Sequence, residues 1–220
     1  TEDSPGTVLC TVVGDISRPA VHEVPMGTGL REVLDRSGGS LPDRQIKAVF
    51  PGVANSVVPG TALDVPLSYE GMEAVGSGLG AGGLIVYDDS ACMVEVAATL
   101  SRFLYVESCG QCLPCKLGTE HITSALETLR DGRGSDRELD VITERLRVVA
   151  DGNRCFLPVQ EQRLVSSILE NFPDDVATHL DGRCLSDRAQ IPTPKILDMA
   201  DGAVTYDQRQ ERKQPDWTYA

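Results

Sequence analysis

Residues 7–70 carry short runs in which apolar and polar positions alternate, and many of the apolar residues are β-branched. Such alternation is typical of strands with one buried face. The predicted strands cover residues 7–13, 20–24, 46–50 and, more weakly, 62–67. Between the second and third strands, Thr28 is a candidate N-cap for a short helix that Gly38 closes. Two strands, a helix and further strands follow the order of a β-grasp-like domain.

After residue 90 the apolar residues recur every three or four positions, which is the spacing of an amphipathic helix. Four such stretches follow one another with short joins, and Ser135 with Glu138 matches a capping box at the start of the third. This pattern predicts a small antiparallel four-helix bundle, followed by a last short helix that runs to Leu180.

The two patterns together predict an α+β fold with four parts. The parts are an N-terminal β-grasp-like domain at 1–70, a glycine-rich linker and strand at 71–90, a four-helix domain at 91–185 and an extended C-terminal tail at 186–220. From Gly78 to Gly83 the linker has the spacing G-x-G-x-x-G, but the predicted strand at 84–87 follows these glycines. A dinucleotide-binding loop needs a strand before them and a helix after them, so we do not predict one.

Composition narrows the class of protein. The chain has 220 residues, of which 41% are apolar, and a formal net charge of −13. This charge argues against binding nucleic acid or anionic lipid, and it indicates a solvated acidic surface or one that meets a basic partner. No basic and apolar signal peptide opens the chain, and no apolar run is long enough to insert into a membrane. We therefore expect a cytoplasmic protein, peripheral to a membrane only through a larger complex.

The cysteines carry the clearest chemical signal. Of the 7 cysteines, Cys109, Cys112 and Cys115 have the spacing C-x-x-C-x-x-C, and Cys155 stands alone further along the chain. Four thiolates suit either a [4Fe–4S] cluster or a four-cysteine zinc site. Zinc sites usually pair two C-x-x-C motifs, whereas three clustered cysteines and one remote cysteine are typical of a cluster. Cys115 and Cys155 each precede a predicted helix, whose free amides would stabilise an anionic cubane.

We therefore predict that Cys109, Cys112, Cys115 and Cys155 ligate one [4Fe–4S] cluster. The remaining cysteines are left outside this site, because a lone thiol is more often a small buried residue than a ligand. They are Cys10, Cys92 and Cys184. The three histidines, His22, His121 and His179, have no evident nucleophile or orienting partner in the sequence, so no catalytic residue is predicted.

The cysteine motif and its surroundings resemble the C-terminal half of the NADH- and flavin-binding subunit of respiratory complex I. The same segment occurs in NAD-linked hydrogenases and formate dehydrogenases. The matching stretches are 107–118, Cys155 with 158–160, 83–86 with 92–94, and 181–184. Residues 5–70 are similar to the SLBB module, a soluble-ligand-binding β-grasp, that precedes the cluster domain in that family.

The resemblance implies that the four cysteines hold a cluster that takes electrons from reduced flavin. The cluster then passes them to iron–sulfur centres of a neighbouring subunit. Lys116 stands where the family usually has arginine, which keeps the charge and loses a planar multi-donor contact. In the family, an FMN- and NADH-binding domain precedes the SLBB module, with which this chain begins. We therefore expect FMN and NAD only on a missing domain or on a partner.

The leading hypothesis is an electron-transfer module of an NADH dehydrogenase-type oxidoreductase, which does not act as a catalyst alone. Its expected partners are a flavoprotein electron donor and an iron–sulfur acceptor subunit. The alternative is an SLBB module that binds a ligand or a protein and is stabilised by a structural zinc ion on the same four cysteines.

Overall fold

The structure, a computed structural model, describes residues 1–184, 186, 188 and 190–219. The chain forms two compact units, both of which are built from segments that are discontinuous in sequence. The first unit contains Thr1–Ser90 and Ile196–Tyr206, and the second contains Ala91–Lys195 and Asp207–Ala220. In the described residues, every helix is too short or too polar to cross a bilayer.

The first unit is built on a five-stranded mixed sheet with the strand order β2-β1-β5-β3-β4. Its strands are β1 (Thr7–Gly14), β2 (Ala20–Pro25), β3 (Ile46–Phe50), β4 (Val58–Pro59) and β5 (Gly83–Asp88). β1 and β5 are parallel, and the other neighbouring strands are antiparallel. The unit also contains two helices, α1 (Leu30–Arg36) and α2 (Tyr69–Ala74), and α1 buries Leu30, Val33 and Leu34.

The strand predicted at 62–67 is wrong. Gly60–Ala62 is a turn of 3-10 helix, and the residues after it form only an isolated bridge, between Gly29 and Pro66. The alternation is real, because Leu63, Val65 and Leu67 are all buried. However, this segment hydrogen-bonds to the residues at the start of α1. The amide of Leu30 donates to the carbonyl of Val65 at 2.8 Å. Alternating burial therefore marks an extended segment that joins no sheet.

The glycine-rich stretch has a packing role in the first unit. Residues 71–90, predicted as a linker with a strand, contain most of α2 and all of β5, which lies in the middle of the sheet. Gly82 has a φ of +76°, and a Cβ there would overlap the carbonyl oxygen of Leu9 on β1. The glycine thus lets the chain enter the sheet beside β1.

The second unit is helical, as the apolar spacing predicted. Its helices are α3 (Met93–Glu107), α4 (Leu113–Arg130), α5 (Asp136–Val148), α6 (Leu157–Asn171) and α7 (Pro173–Leu180). α3 packs against α4 and α6, and α4 packs against α5. The predicted capping box is present at α5, where the amide of Ser135 donates to Oε2 of Glu138 at 2.8 Å. Fully buried side chains such as Leu100, Ile122 and Leu164 fill the core.

The tail predicted as extended at 186–220 contains regular structure. β6 (Ile196–Ala200) and β7 (Ala203–Tyr206) form an antiparallel hairpin, and a 3-10 helix follows at Gln208–Arg212. The chain enters and leaves the hairpin at one point, because the amide of Asp207 donates to the carbonyl of Lys195 at 2.8 Å. The composition of the tail did not predict this order. The hairpin pairs within the tail, and Gln210 and Lys213 bond to the distant Glu107.

Candidate metal centre

The three clustered cysteines lie on the turn between α3 and α4. Ser108 ends α3 with an extended backbone and is buried, and Gly110 turns the chain with a φ of +76°. Cys112 is the N-cap of α4, so Cys115 lies in the first turn of that helix. The sequence predicts Cys115 just before the helix. The helix begins earlier because Pro114 is well tolerated in a first turn, where its missing amide has no partner to lose.

Cys155 lies on the turn between α5 and α6, two residues before α6 begins at Leu157. Gly152 has a φ of +60°, and the side-chain amide of Asn153 donates to the carbonyl of Cys155 at 3.0 Å. Gly118 in α4 brings this turn close, since a Cβ on Gly118 would lie 2.9 Å from Cγ2 of Val149. A side chain at that position would hold the end of α5 away from α4.

The four predicted ligands lie on these two turns, and the thiol of Cys115 is influenced electrostatically by the other three. Burial raises the pKa of the Cys115 thiol; a hydrogen bond from Ser108 lowers it, and the thiolates of Cys155, Cys112 and Cys109 raise it again. Cys115 is therefore within electrostatic reach of the three other sulfurs. Cys115 is buried, Cys112 is partly exposed, and Cys109 and Cys155 are exposed. The four thiols thus run from the helical core to the surface.

The donor set fits an iron–sulfur cubane. A single zinc ion with Zn–S bonds of about 2.3 Å holds its sulfurs within roughly 4 Å of one another. In the described part of the chain, the four thiols supply no set of three ligand atoms within 4.8 Å of one another. A cubane needs a wider spacing, because each thiolate binds a different iron atom. The starts of α4 and α6 also present amides to this site, which favours an anionic group.

Lys116 binds three backbone carbonyls, near the turn between α3 and α4 and in the tail. Its ammonium donates to the carbonyls of Tyr105 at 3.3 Å, Ser108 at 3.2 Å and Pro215 at 3.1 Å. Burial lowers the pKa of Lys116, while the thiolates of Cys115 and Cys109 raise it. The side chain therefore ties the end of α3 to the start of α4 and places a positive charge beside the sulfurs.

The sequence did not predict the contribution of the C-terminal segment to this site. Nζ of Lys213 lies 2.7 Å from both carboxylate oxygens of Glu107, and the side-chain amide of Gln210 donates to Oε1 of Glu107 at 2.8 Å. Burial alone would raise the pKa of Glu107, but the bonds from Lys213 and Gln210 lower it overall. Glu107 and Cys109 are two positions apart, so the tail braces the residues that begin the turn.

His179 also has partners that the sequence did not reveal. Its Nε2 lies 3.0 Å from Sγ of Cys92, and its Nδ1 lies 3.0 Å from the carbonyl oxygen of Leu129. The positions of Cys92 and His179 differ by 87, so no local motif joins them. The short matches at 92–94 and 181–184 were the signals near this group in the sequence.

Known proteins are similar to this chain in the region that contains these turns. Residues 95–179, which include all four cysteines of the turns, match the family described as the NADH-ubiquinone oxidoreductase-F iron-sulfur binding region. An F-type subunit of the NADH-quinone oxidoreductase of Rhizobium meliloti (strain 1021) is 34% identical over 182 residues, which are 82% of this chain and 43% of that protein. NADP-reducing hydrogenase subunit HndC of Solidesulfovibrio fructosivorans is 32% identical over 185 residues, or 83% of this chain and 38% of that protein.

A solved structure shows the same fold. The crystal structure of an NAD⁺-reducing [NiFe]-hydrogenase in the H2-reduced state matches with a TM-score of 0.73 and 26% identity. The match covers 88% of this chain and 31% of that chain. The resemblance to the C-terminal region of F-type subunits is thereby confirmed, as are the mixed α+β class and a 4Fe-4S cluster as the cofactor. The chain spans less than half the length of these curated relatives.

Proposed function

Because this chain resembles the iron–sulfur region of F-type subunits, we propose that it relays electrons through one [4Fe–4S] cluster held by Cys109, Cys112, Cys115 and Cys155. The observation that carries the proposal is the convergence of these four thiols, from two separate turns, within the region that matches the family. When bound, the cluster accepts and releases one electron at a time. It supplies no bond-making chemistry, so no catalytic residue is needed in this chain.

The surrounding residues would set the potential of the cluster. The hydroxyl of Ser108 lies 3.4 Å from Sγ of Cys115, and a hydrogen bond to a ligating sulfur stabilises the reduced state. The amides at the starts of α4 and α6 and the ammonium of Lys116 act in the same direction. Burial of Cys115 excludes water from one side of the site. This disfavours the reduced cluster, because the reduced cluster carries more negative charge.

The exposed side of the site is suited to an electron-transfer partner. Leu113 is 67% exposed and Phe156 is 48% exposed, and each is next to a proposed ligand, Cys112 and Cys155. Exposed apolar side chains beside a redox centre are typical of a surface that another subunit covers. The relatives are subunits of NADH-quinone oxidoreductase and of NADP-reducing hydrogenase. We assign this side to a neighbouring flavoprotein or iron–sulfur subunit of such a complex.

The finer architecture follows from the same resemblance. Residues 1–70 with β5 would correspond to the SLBB module and residues 91–185 to the four-helix cluster domain. The tail from 186 adds its hairpin to the first unit and its last segment to the second. FMN and NADH would bind to another polypeptide segment, which delivers electrons to the cluster. The strand order β2-β1-β5-β3-β4 with parallel β1 and β5 supports a β-grasp for the first module.

The proposal is tested on anaerobically purified chain. We expect about four iron atoms and a brown colour, and an EPR signal of a reduced cluster after dithionite but not after NADH alone. Cys112→Ser and Cys155→Ser should lose most of the iron, because each removes one corner ligand. Cys10→Ser is the matched control, since Cys10 is buried in the first unit.

Two outcomes would overturn the proposal. Equal iron loss from Cys10→Ser would show that the ligand assignment is wrong. A colourless protein with one zinc ion on the same four cysteines would support the structural-zinc alternative, in which the first unit binds a ligand or protein and no electron is transferred.

A further inference from the structure

A second group of metal-binding side chains lies in the helical unit, apart from the four cysteines of the turns. Sγ of Cys92, a ring nitrogen of His179 and Sγ of Cys184 all lie within 4.8 Å of one another. Cys92 and His179 are buried, at 5% and 2% exposure, and Cys184 is exposed. Three soft or borderline donors at this spacing can share one metal ion, because a tetrahedral zinc site holds its ligand atoms roughly 3.5–4 Å apart.

His179 is already oriented as a ligand. The carbonyl oxygen of Leu129 can only accept, so Nδ1 of His179 must carry the proton in their 3.0 Å hydrogen bond. In the neutral imidazole with Nδ1–H, Nε2 carries the lone pair, and it lies 3.0 Å from Sγ of Cys92. Histidines that bind metals usually donate their other ring N–H to a carbonyl or carboxylate in this way.

Cys92 is fixed at the start of α3. It is the N-cap of that helix. Burial raises the pKa of its thiol, and the backbone amides of Glu95 and Val94 lower it by less. The carboxylate of Asp175 in α7 accepts from the amide of Met93 at 2.7 Å. This bond holds the starts of α3 and α7 together, so Cys92 cannot move away from His179 without breaking it.

Cys184 reaches the group because two glycines pack together. Gly132 follows α4 with a φ of +67°, and Gly182 follows α7 with a φ of +71°. A Cβ on Gly132 would lie 3.3 Å from the carbonyl oxygen of Gly182, tighter than most contacts between a Cβ and backbone. The close approach turns the chain back at the end of α7, and Cys184 follows two residues later.

We propose that Cys92, His179 and Cys184 bind one Zn²⁺ ion, with a water molecule in the fourth position. Two thiolates and one imidazole are a donor set that zinc prefers. The ion would join the start of α3, the end of α7 and the segment that leaves α7. It is distinct from the proposed iron–sulfur site, because the two sets share no ligand.

The test is metal analysis of the whole chain, produced in zinc-supplemented medium and purified anaerobically. We expect about one zinc per chain in addition to the iron. X-ray absorption at the zinc edge should show two sulfur ligands at about 2.3 Å and one nitrogen ligand at about 2.0–2.1 Å. Zinc surrounded by four sulfurs would instead mean that zinc occupies the cluster cysteines, and it would overturn the proposal.

Variants assign the ligands. Cys184→Ser and His179→Gln should each lose the zinc and keep the iron, whereas Cys10→Ser should keep both metals. Cys184 is exposed, so its substitution leaves the helical core intact, and the retained iron reports that the chain is folded. The proposal fails if zinc persists in Cys184→Ser, if the folded chain takes up no zinc, or if mass spectrometry finds a disulfide between Cys92 and Cys184. Iron and zinc are measured separately. Failure of the zinc proposal therefore leaves the electron-transfer proposal intact, and failure of the electron-transfer proposal leaves the zinc proposal intact.

Discussion

Glu161 in α6 is an acid placed fully inside the helical unit. Its Oε1 accepts from the hydroxyl of Ser101 in α3 at 2.6 Å, and that hydroxyl lies 2.8 Å from Oγ1 of Thr123 in α4. Among the residues that the structure describes, Oε2 of Glu161 has no hydrogen-bond partner. Burial raises the pKa of Glu161 to about 8, although the bond from Ser101 lowers it. The side chain is therefore neutral in the folded protein near neutral pH.

This residue should make stability depend on pH. In the unfolded chain Glu161 ionises near pH 4.3, whereas in the folded chain it keeps its proton up to about pH 8. Its contribution is therefore complete below about pH 4.3 and is lost as pH rises to about 8, by about 1.4 kcal/mol per pH unit. Glu161→Gln cannot ionise. The free energy of unfolding of this variant, relative to that of the wild type, should therefore rise by about 1.4 kcal/mol per pH unit between pH 6 and pH 8.

Anaerobic urea unfolding at several pH values measures this difference. Glu144→Gln is the control, because Glu144 lies on the exposed side of α5 and its substitution should leave the pH dependence unchanged. Parallel stability curves for Glu161→Gln and the wild type would show that Glu161 is ionised in the fold.

At the scale of the elements, the approach of α4 to the end of α5 determines where Cys155 lies. Gly118 is in the interior of α4, where alanine would be favoured over glycine by about 1 kcal/mol. A glycine is kept because a Cβ would lie 2.9 Å from Cγ2 and 3.2 Å from Cβ of Val149, which is fully buried. Packing thus outweighs helix propensity at this position.

Gly118→Ala should therefore destabilise the protein. Overpacking costs about 1–3 kcal/mol, which exceeds the gain in helix propensity. The end of α5 would shift, so a chelator should also remove iron faster than from the wild type. The two substitutions Gly118→Ala and Val149→Ala should couple, with the double variant less destabilised than the sum of the single variants. Simple additivity in anaerobic urea unfolding would contradict the contact.

The elements that could be predicted from the sequence are those with local causes. The helices of the second unit follow from apolar spacing, and the turn at Cys109–Cys115 follows from its motif. The strand at 62–67 could not be distinguished from an irregular buried segment, because both alternate. The position of β5 in the middle of the sheet and the contact of Cys92 with His179 depend on residues far apart in sequence, which one sequence without tertiary contacts does not specify.

At the scale of the whole molecule, the tail contributes to both units. Its hairpin, β6 and β7, is part of the first unit, and the segment from Asp207 is part of the second. The ends of the hairpin meet where Asp207 bonds to Lys195. For the second unit, residues 196–206 are thus an insertion, and the segment that braces Glu107 comes after it.

Two deletions should therefore behave differently. A chain without residues 196–206, in which two glycines join Lys195 to Asp207, should retain its iron, because Lys213 still reaches Glu107. A chain that ends at Lys195 should lose iron faster to a chelator, since Glu107 and Lys116 lose their partners in the tail. Equal rates of iron release from the two chains would show that the segment from 207 does not support the site.

The position of the hairpin, which belongs to the first unit but is flanked by residues of the second, also has a consequence for proteolysis. In a chain whose domains follow one another, one cut at the junction releases two independent pieces. Here a cut between Ser90 and Ala91 leaves the hairpin of the first unit covalently joined to the second. We expect the two fragments to copurify after such a cut for as long as the hairpin stays docked on the first unit. Gel filtration of the digest would therefore underestimate how readily this bond is cleaved, whereas denaturing gel electrophoresis would show both fragments.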